Sequence, residues 1–190
     1  ADVVELAKNG TLLEAVFSDR WQCRYQHFDA IAQRLADAHN EGDFDLLDTL
    51  SASGLASFSG FKGYQGRRIY SLAIERLDTS ATALLPSLRI LAAQADGEPH
   101  EATETFRNWC SASPNRPREL IALVDSGELD VCDFYSLHIA IRNGLKADLP
   151  YFTERAYALI ENGTPVEKAQ VIQALSSPPF NDNAQWRRAL

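Results

Sequence analysis

LPYFTERAYALIENGTPVEK, residues 149 to 168, contains one helix, its end and the start of another. Leu149, Phe152, Ala156, Leu159 and Ile160 recur at spacings of three and four, which places them on one face of a helix. Pro150 falls in the first turn, where its missing N–H costs little. Asn162-Gly163 closes the helix, because glycine tolerates the left-handed conformation of a C-terminal cap. Thr164, followed three residues later by Glu167, fits a capping box that opens the next helix. The stretch predicts two helices joined by a tight turn.

The same grammar extends in both directions. Asn9-Gly10-Thr11 with Glu14 repeats the joint, and Asn143-Gly144 reads as a further helix end. Both Asn-Gly-Thr triplets also match the glycosylation acceptor pattern, but they make better sense as helix turns. LPSLRILAAQADG and RPRELIALVDSG each start near a proline and run through an apolar helix to glycine, like the opening stretch. Their prolines, Pro86, Pro117 and Pro150, stand 31 and 33 residues apart. A second helix is predicted after each, around residues 99–111, 131–144 and 165–176, with turns near Gly97, Gly127 and Gly163. Leu84, Leu85, Leu88 and Leu91 form one apolar stripe, and Phe134, Leu137, Ile141 and Leu145 form another. A period of this length is the mark of stacked helical pairs. The N-terminal half is less regular. Helices are expected near 20–41, 43–52 and 67–78, a loop over 53–66, and a helix joint within residues 1–17. A short strand near residues 129–132 is the one β element considered.

LLPSLRILAAQADGEPHEATETFRNWC, residues 84 to 110, resembles a HEAT-type repeat, and the likeness extends over residues 83–177. Asp96 stands where the family often has an aspartate, while Pro99 and Glu101 follow where a basic residue is frequent. The resemblance implies an all-α fold of antiparallel helical pairs, stacked as a short right-handed solenoid. Residues 83–177 would supply three pairs and residues 1–78 an irregular helical half of one domain, 1–190. It also implies a scaffold that binds partners along an extended surface, without implying one chemistry.

Composition narrows the function. A net charge of −8 argues against binding nucleic acid or acidic membranes through the whole surface. No apolar run approaches the ~20 residues that span a bilayer, and no signal-peptide pattern is visible. Three widely separated cysteines, Cys23, Cys110 and Cys132, suit reduced thiols and a cytoplasmic setting. Methionine is absent, so the chain is expected either to have lost its initiator or to be a fragment. Four histidines without an H-x-x-x-H pair, and no C-x-x-C, predict neither a metal nor a cofactor. EGDFDLLD lacks the pattern of a calcium loop and reads as an acidic helix start. His138, in an apolar stripe, reads as a core histidine, and Trp109, at helical spacing from Phe106, as a core aromatic.

One stretch invites a functional reading. SGFKGYQGRR, residues 59–68, spaces Gly60, Gly63 and Gly66 by three and ends in Arg67 and Arg68. No acid lies between Asp48 and Glu75. Lys62, Tyr64, Arg67 and Arg68 are therefore the candidate partner- or anion-binding residues of a flexible loop. Removing both arginines is expected to leave the fold intact. The leading function is a non-enzymatic scaffold for protein–protein interaction. An accessory domain binding nucleic acid or phosphate through this loop is the alternative, with a HEAT-like DNA-repair glycosylase as a third reading. A second basic stretch carries Arg107, Arg116 and Arg118.

The stripe predicts that Leu159→Asp destabilises strongly, because it puts a carboxylate on a core face. A wild-type melting curve for that variant would show that the face is misplaced.

Overall fold

The computed structural model describes residues 2–18, 25–52, 60–94 and 100–176; the side chains of 25, 52, 60–65, 94 and 100 are not among those described. The described residues are all-α: eleven α-helices and one 3₁₀ turn, with no strand among them. Cys23 and the turn expected at Gly97 lie outside the described residues. The chain forms two compact units, 1–109 and 110–190.

In the first unit, α1 (Val3–Lys8), α2 (Leu12–Val16) and α3 (Tyr25–Asn40) are followed by α4 (Leu46–Ala52), α5 (Gly60–Ile74), α6 (Ala81–Gln94) and α7 (His100–Ser111), whose last two residues belong to the second unit. Helices this short are marginal alone, so each depends on burying a face against others. The most extensive contacts skip one helix along the chain, α1 on α3, α3 on α5 and α4 on α6, while α1 also touches α2 and α3 touches α4. Asn40, at the end of α3, ties into the chain just past α5. Its amide donates to Arg76 O at 3.1 Å, and its oxygen accepts from Asp78 N at 2.8 Å. The ends of α3 and α5 therefore lie together, and the two helices run parallel. Phe106 and Trp109 stack at 5.7 Å, with Trp109 fully buried as a core aromatic. Asp45 Oδ1 accepts from the N–H groups of Leu47 and Asp48. The acidic run at 43–48 thus serves to start α4.

The second unit contains α8 (Arg116–Ser126), the 3₁₀ turn Asp133–Tyr135, α9 (Ser136–Ala147), α10 (Leu149–Asn162) and α11 (Pro165–Ser176). Helix α9 is central and packs on α8, α10 and α11, while α10 also packs on α11. Arg118 pairs with Asp148, and Asp125 with Arg155, each across an offset of 30 residues. The partners advance together along both chains, so α8 and α10 run parallel. At the α10–α11 joint, Thr164 N donates to Glu167 Oε2 at 2.6 Å and Glu167 N to Thr164 Oγ1 at 3.3 Å. This is the reciprocal capping box expected from the sequence.

Several local expectations are corrected. Residues 60–68 are not a loop: α5 begins at Gly60 and carries Arg67 and Arg68 in its interior. The glycines read as turn formers, but Gly66 is buried on a helix that packs against α3, and a residue without a Cβ permits close approach. Gly144 does not end a helix; it lies within α9 because any Cβ there would run into the Phe152 ring of α10. The two Asn-Gly-Thr joints also differ. Gly10 is left-handed at φ +69, whereas Gly163 is extended at φ −72, ψ 165. Thr11 makes no side-chain cap, and its hydroxyl instead donates to Leu6 O at 3.4 Å. Pro86 lies inside α6, which starts earlier, beside Ser80 accepting from Ala83 N at 3.3 Å. Pro117 and Pro150 occupy first turns as expected. The strand considered at 129–132 is instead the approach to the 3₁₀ turn.

Gly144→Ala is expected to cost about 1–3 kcal/mol, the usual range for overpacking a filled site. Urea unfolding measures it, and an unchanged midpoint would mean that Phe152 does not pack on Gly144.

Candidate functional site

Helix α5 and helix α7 share a charged seam in the first unit. Arg67 is only 12% exposed, and its Nε lies 3.7 Å from Glu101 Oε2 of α7. Further along, Glu75 follows α5 and faces Asn108 of α7, with Arg68, Arg76 and Glu104 around it. The contacts advance together again, 67 with 101 and 75 with 108, so α5 and α7 run parallel. Arg68 is exposed and acts on both Glu75 and Glu101. The acids that answer the basic run are thus distant in sequence or a full two turns further on. Arg67 departs from expectation by being mostly buried, which follows from the helical wheel of α5 once that helix starts at Gly60. Its removal should therefore disturb the seam rather than leave the fold untouched. The backbones of Lys62 and Tyr64 are helical, and their side chains lie outside those described.

The seam holds its acids in an unusual state. Burial pushes the Glu75 carboxyl above its ordinary value of 4.5, against the opposing pull of Asn108, Arg68 and Arg76. Burial likewise raises Glu101, against Arg67 and Arg68. Glu75 Oε1 is buried with no hydrogen bond among the described residues, which leaves its charge poorly solvated.

The second basic stretch is also engaged. Arg107 pairs with Glu104, Arg118 pairs with Asp148, and the Arg118 guanidinium lies 4.3 Å over the Tyr151 ring. Arg116 is buried. Arg107 thus braces its own helix, and Arg118 links α8 to the start of α10.

Groups suited to covalent or metal chemistry are placed less favourably. His138 is buried in α9, and its backbone N–H donates to Gln170 Oε1 at 3.1 Å. Burial pushes the Cys110 thiol up to about 12, far from a reactive thiolate. Cys132 is exposed, and desolvation followed by the Asp130 side chain and the charge of Asp133 pushes its thiol up as well. Among the described residues no group of three or more His, Cys, Asp or Glu is placed to hold a metal ion. None of their helices is long and apolar enough to cross a membrane.

A different surface escaped the sequence reading. The large apolar side chains exposed among the described residues are Tyr135 (54%), Tyr157 (42%), Val166 (43%) and Ile172 (56%), all in the second unit. On α11, Gln170, Val171 and Ala174 are buried, while Ala169 and Ile172 are exposed opposite them and Val166 and Gln173 are exposed on the flank. On α10, Phe152, Ala156 and Leu159 are buried, and Glu154, Tyr157 and Glu161 are exposed opposite them. The available signal was that α11 is apolar on two faces rather than one. No protein-family model, curated protein or solved structure matches the chain.

A carboxyl whose pKa is higher folded than unfolded binds its proton more tightly in the folded state. The contribution of Glu75 and Glu101 to the stability of the first unit therefore falls as pH rises from 4.5 through their raised values. Glu75→Gln should accordingly raise the unfolding midpoint at pH 7, with the gain fading as pH falls toward 4.5. A loss of stability at pH 7 would show that the arginines outweigh burial.

Proposed function

We propose that the chain is a helical-repeat scaffold that binds another protein, each unit being built from stacked helical pairs of HEAT-like kind. Side-chain links recurring at similar offsets support the stacking: Asn40 to Asp78 at 38, Arg67 to Glu101 at 34, Arg118 to Asp148 at 30, and His138 to Gln170 at 32. The offsets of 30, 32 and 34 lie close to the proline spacings of 31 and 33, and that of 38 is longer. Each link joins a helix, or its flank, to the next helix but one, as expected where equivalent helices of successive pairs lie side by side.

The observation that carries the binding function is the outward side of the α10–α11 hairpin. Tyr157 on α10 and Val166, Ala169 and Ile172 on α11 are exposed there, where a monomer would ordinarily place charges. The alternative, binding of nucleic acid or phosphate through Lys62, Tyr64, Arg67 and Arg68, draws less support, since Arg67 is already turned to Glu101. A cytoplasmic setting belongs to the same proposal and rests on cysteine usage.

Affinity capture from native lysate, with and without nuclease, tests the reading. Protein partners that survive nuclease are the expected result. Loss of every partner on nuclease treatment would assign the chain to nucleic acid.

A further inference from the structure

We infer that the outward side of the α10–α11 hairpin seats an amphipathic helix of a partner protein, one whose apolar stripe is flanked by lysine or arginine. This inference rests on the scaffold reading and names its surface and the chemistry of its partner.

The geometry begins with α9. Phe152 of α10 lies against Gly144 of α9, and Gln170 of α11 accepts from His138 N of α9. The buried faces of both hairpin helices are thereby turned to α9. Glu154, Tyr157 and Glu161 of α10 and Ala169 and Ile172 of α11 lie on the opposite faces and point away from it, with Val166 and Gln173 on the flank of α11. Val166, Ala169, Ile172 and Gln173 follow one another at spacings of three, three and one, a continuous uncharged stripe over two turns of α11. Tyr157 adds an aromatic anchor from α10. Two antiparallel helices side by side leave a shallow groove, and ridges of a third helix fit such a groove.

Charge selects the occupant. Glu154 and Glu161 are exposed on the outward face of α10, and the partly exposed Lys168 is the one base of α11. Lys168 sits at the edge with its ammonium donating to Glu161 O at 3.2 Å. Arg155 is turned to Asp125 of α8. The rim is thus acidic around an apolar centre, which favours a basic-flanked helix in both encounter and register. A second copy of this chain fits less well, because a two-fold interface would set the same acidic rim against itself.

The test uses the full chain and two labelled model peptides, an amphipathic helix of leucine and lysine and its counterpart of leucine and glutamate. Fluorescence anisotropy should show saturable binding of the leucine–lysine peptide, with the leucine–glutamate peptide at least about tenfold weaker. Ile172→Asp should weaken the leucine–lysine peptide at least about tenfold while leaving the melting curve unchanged, since the side chain is exposed. That substitution adds negative charge, so an attraction that was only electrostatic would strengthen instead. Glu154→Gln with Glu161→Gln should narrow the gap between the peptides. Absence of binding, equal binding of both peptides, or undiminished binding by the Ile172→Asp chain would overturn the inference. Sedimentation equilibrium showing a wild-type dimer that Ile172→Asp dissolves would assign the face to self-association and overturn it too. A nuclease-resistant partner captured equally by both chains would remove this surface but keep the scaffold reading.

Discussion

The side-chain amide of Gln170 joins three elements of the second unit. It is buried on α11, where its Nε2 donates to Val131 O at 2.5 Å and its Oε1 accepts from His138 N at 3.1 Å. His138 is the third residue of α9, and its N–H is one of the first four that a helix cannot bond internally. The residue before α9, Tyr135, provides no side-chain cap. Phe134 and Tyr135 enter the helix at φ 55 and 53, a left-handed conformation that costs non-glycine residues roughly 1–2 kcal/mol each. The start of α9 is therefore strained and lacks a local cap, and α11 supplies what it lacks. Without Gln170 a buried donor would lose this partner, a loss that typically costs about 1–3 kcal/mol. In the first unit, Asn40 does the same for the end of α5 with both ends of its amide.

These two amides illustrate a general feature of the chain. Its helices are too short to persist alone, and several are completed by the next helix but one as well as by their neighbours. Ion pairs repeat the pattern at the surface, where each contributes little, but their regular offsets record how the helices align. Opposite pH linkages accompany the two units. Burial raises Glu75 and Glu101 in the first, whereas hydrogen bonds from Arg118 and the Tyr151 N–H hold Asp148 below its ordinary value in the second. Acid thus relieves the α5–α7 seam while removing a favourable charge at the start of α10.

The sequence disclosed what depends on neighbours three or four residues away. Helical stripes, the Thr164–Glu167 box, the Asp45 start and the burial of Trp109 were all legible for that reason. Residues whose role is set by distant contacts were not. Gly60, Gly63 and Gly66 carry the composition of a turn, and only the packing of α5 on α3 makes a helix sensible there. Asn143-Gly144 matches a helix end, yet Phe152 requires the missing Cβ in mid-helix. Arg67 showed no local acid because its partner, Glu101, lies on another helix. Of the candidate site, only the acid-free window around Arg67 and Arg68 was legible; the fold sets Arg67 against Glu101 and leaves Arg68 exposed. The α11 surface was missed because the helix expected at 165–176 was placed without assigning its inward and outward faces. The exposure of Val166 and Ile172 emerges only when Val171 and Ala174 are known to take the inward side.

On this account the surface that binds follows from the stacking itself. Helix α10 lies along α8 and α11 against α9, and the side of the hairpin away from α9 is where a further helix would stack. The measurement that tests this most directly is hydrogen–deuterium exchange of the full chain, free and bound to its nuclease-resistant protein partner. Added protection confined to α10 and α11 is the result the account predicts. Protection centred on α5 and α7, with the α10–α11 hairpin unchanged, would contradict it.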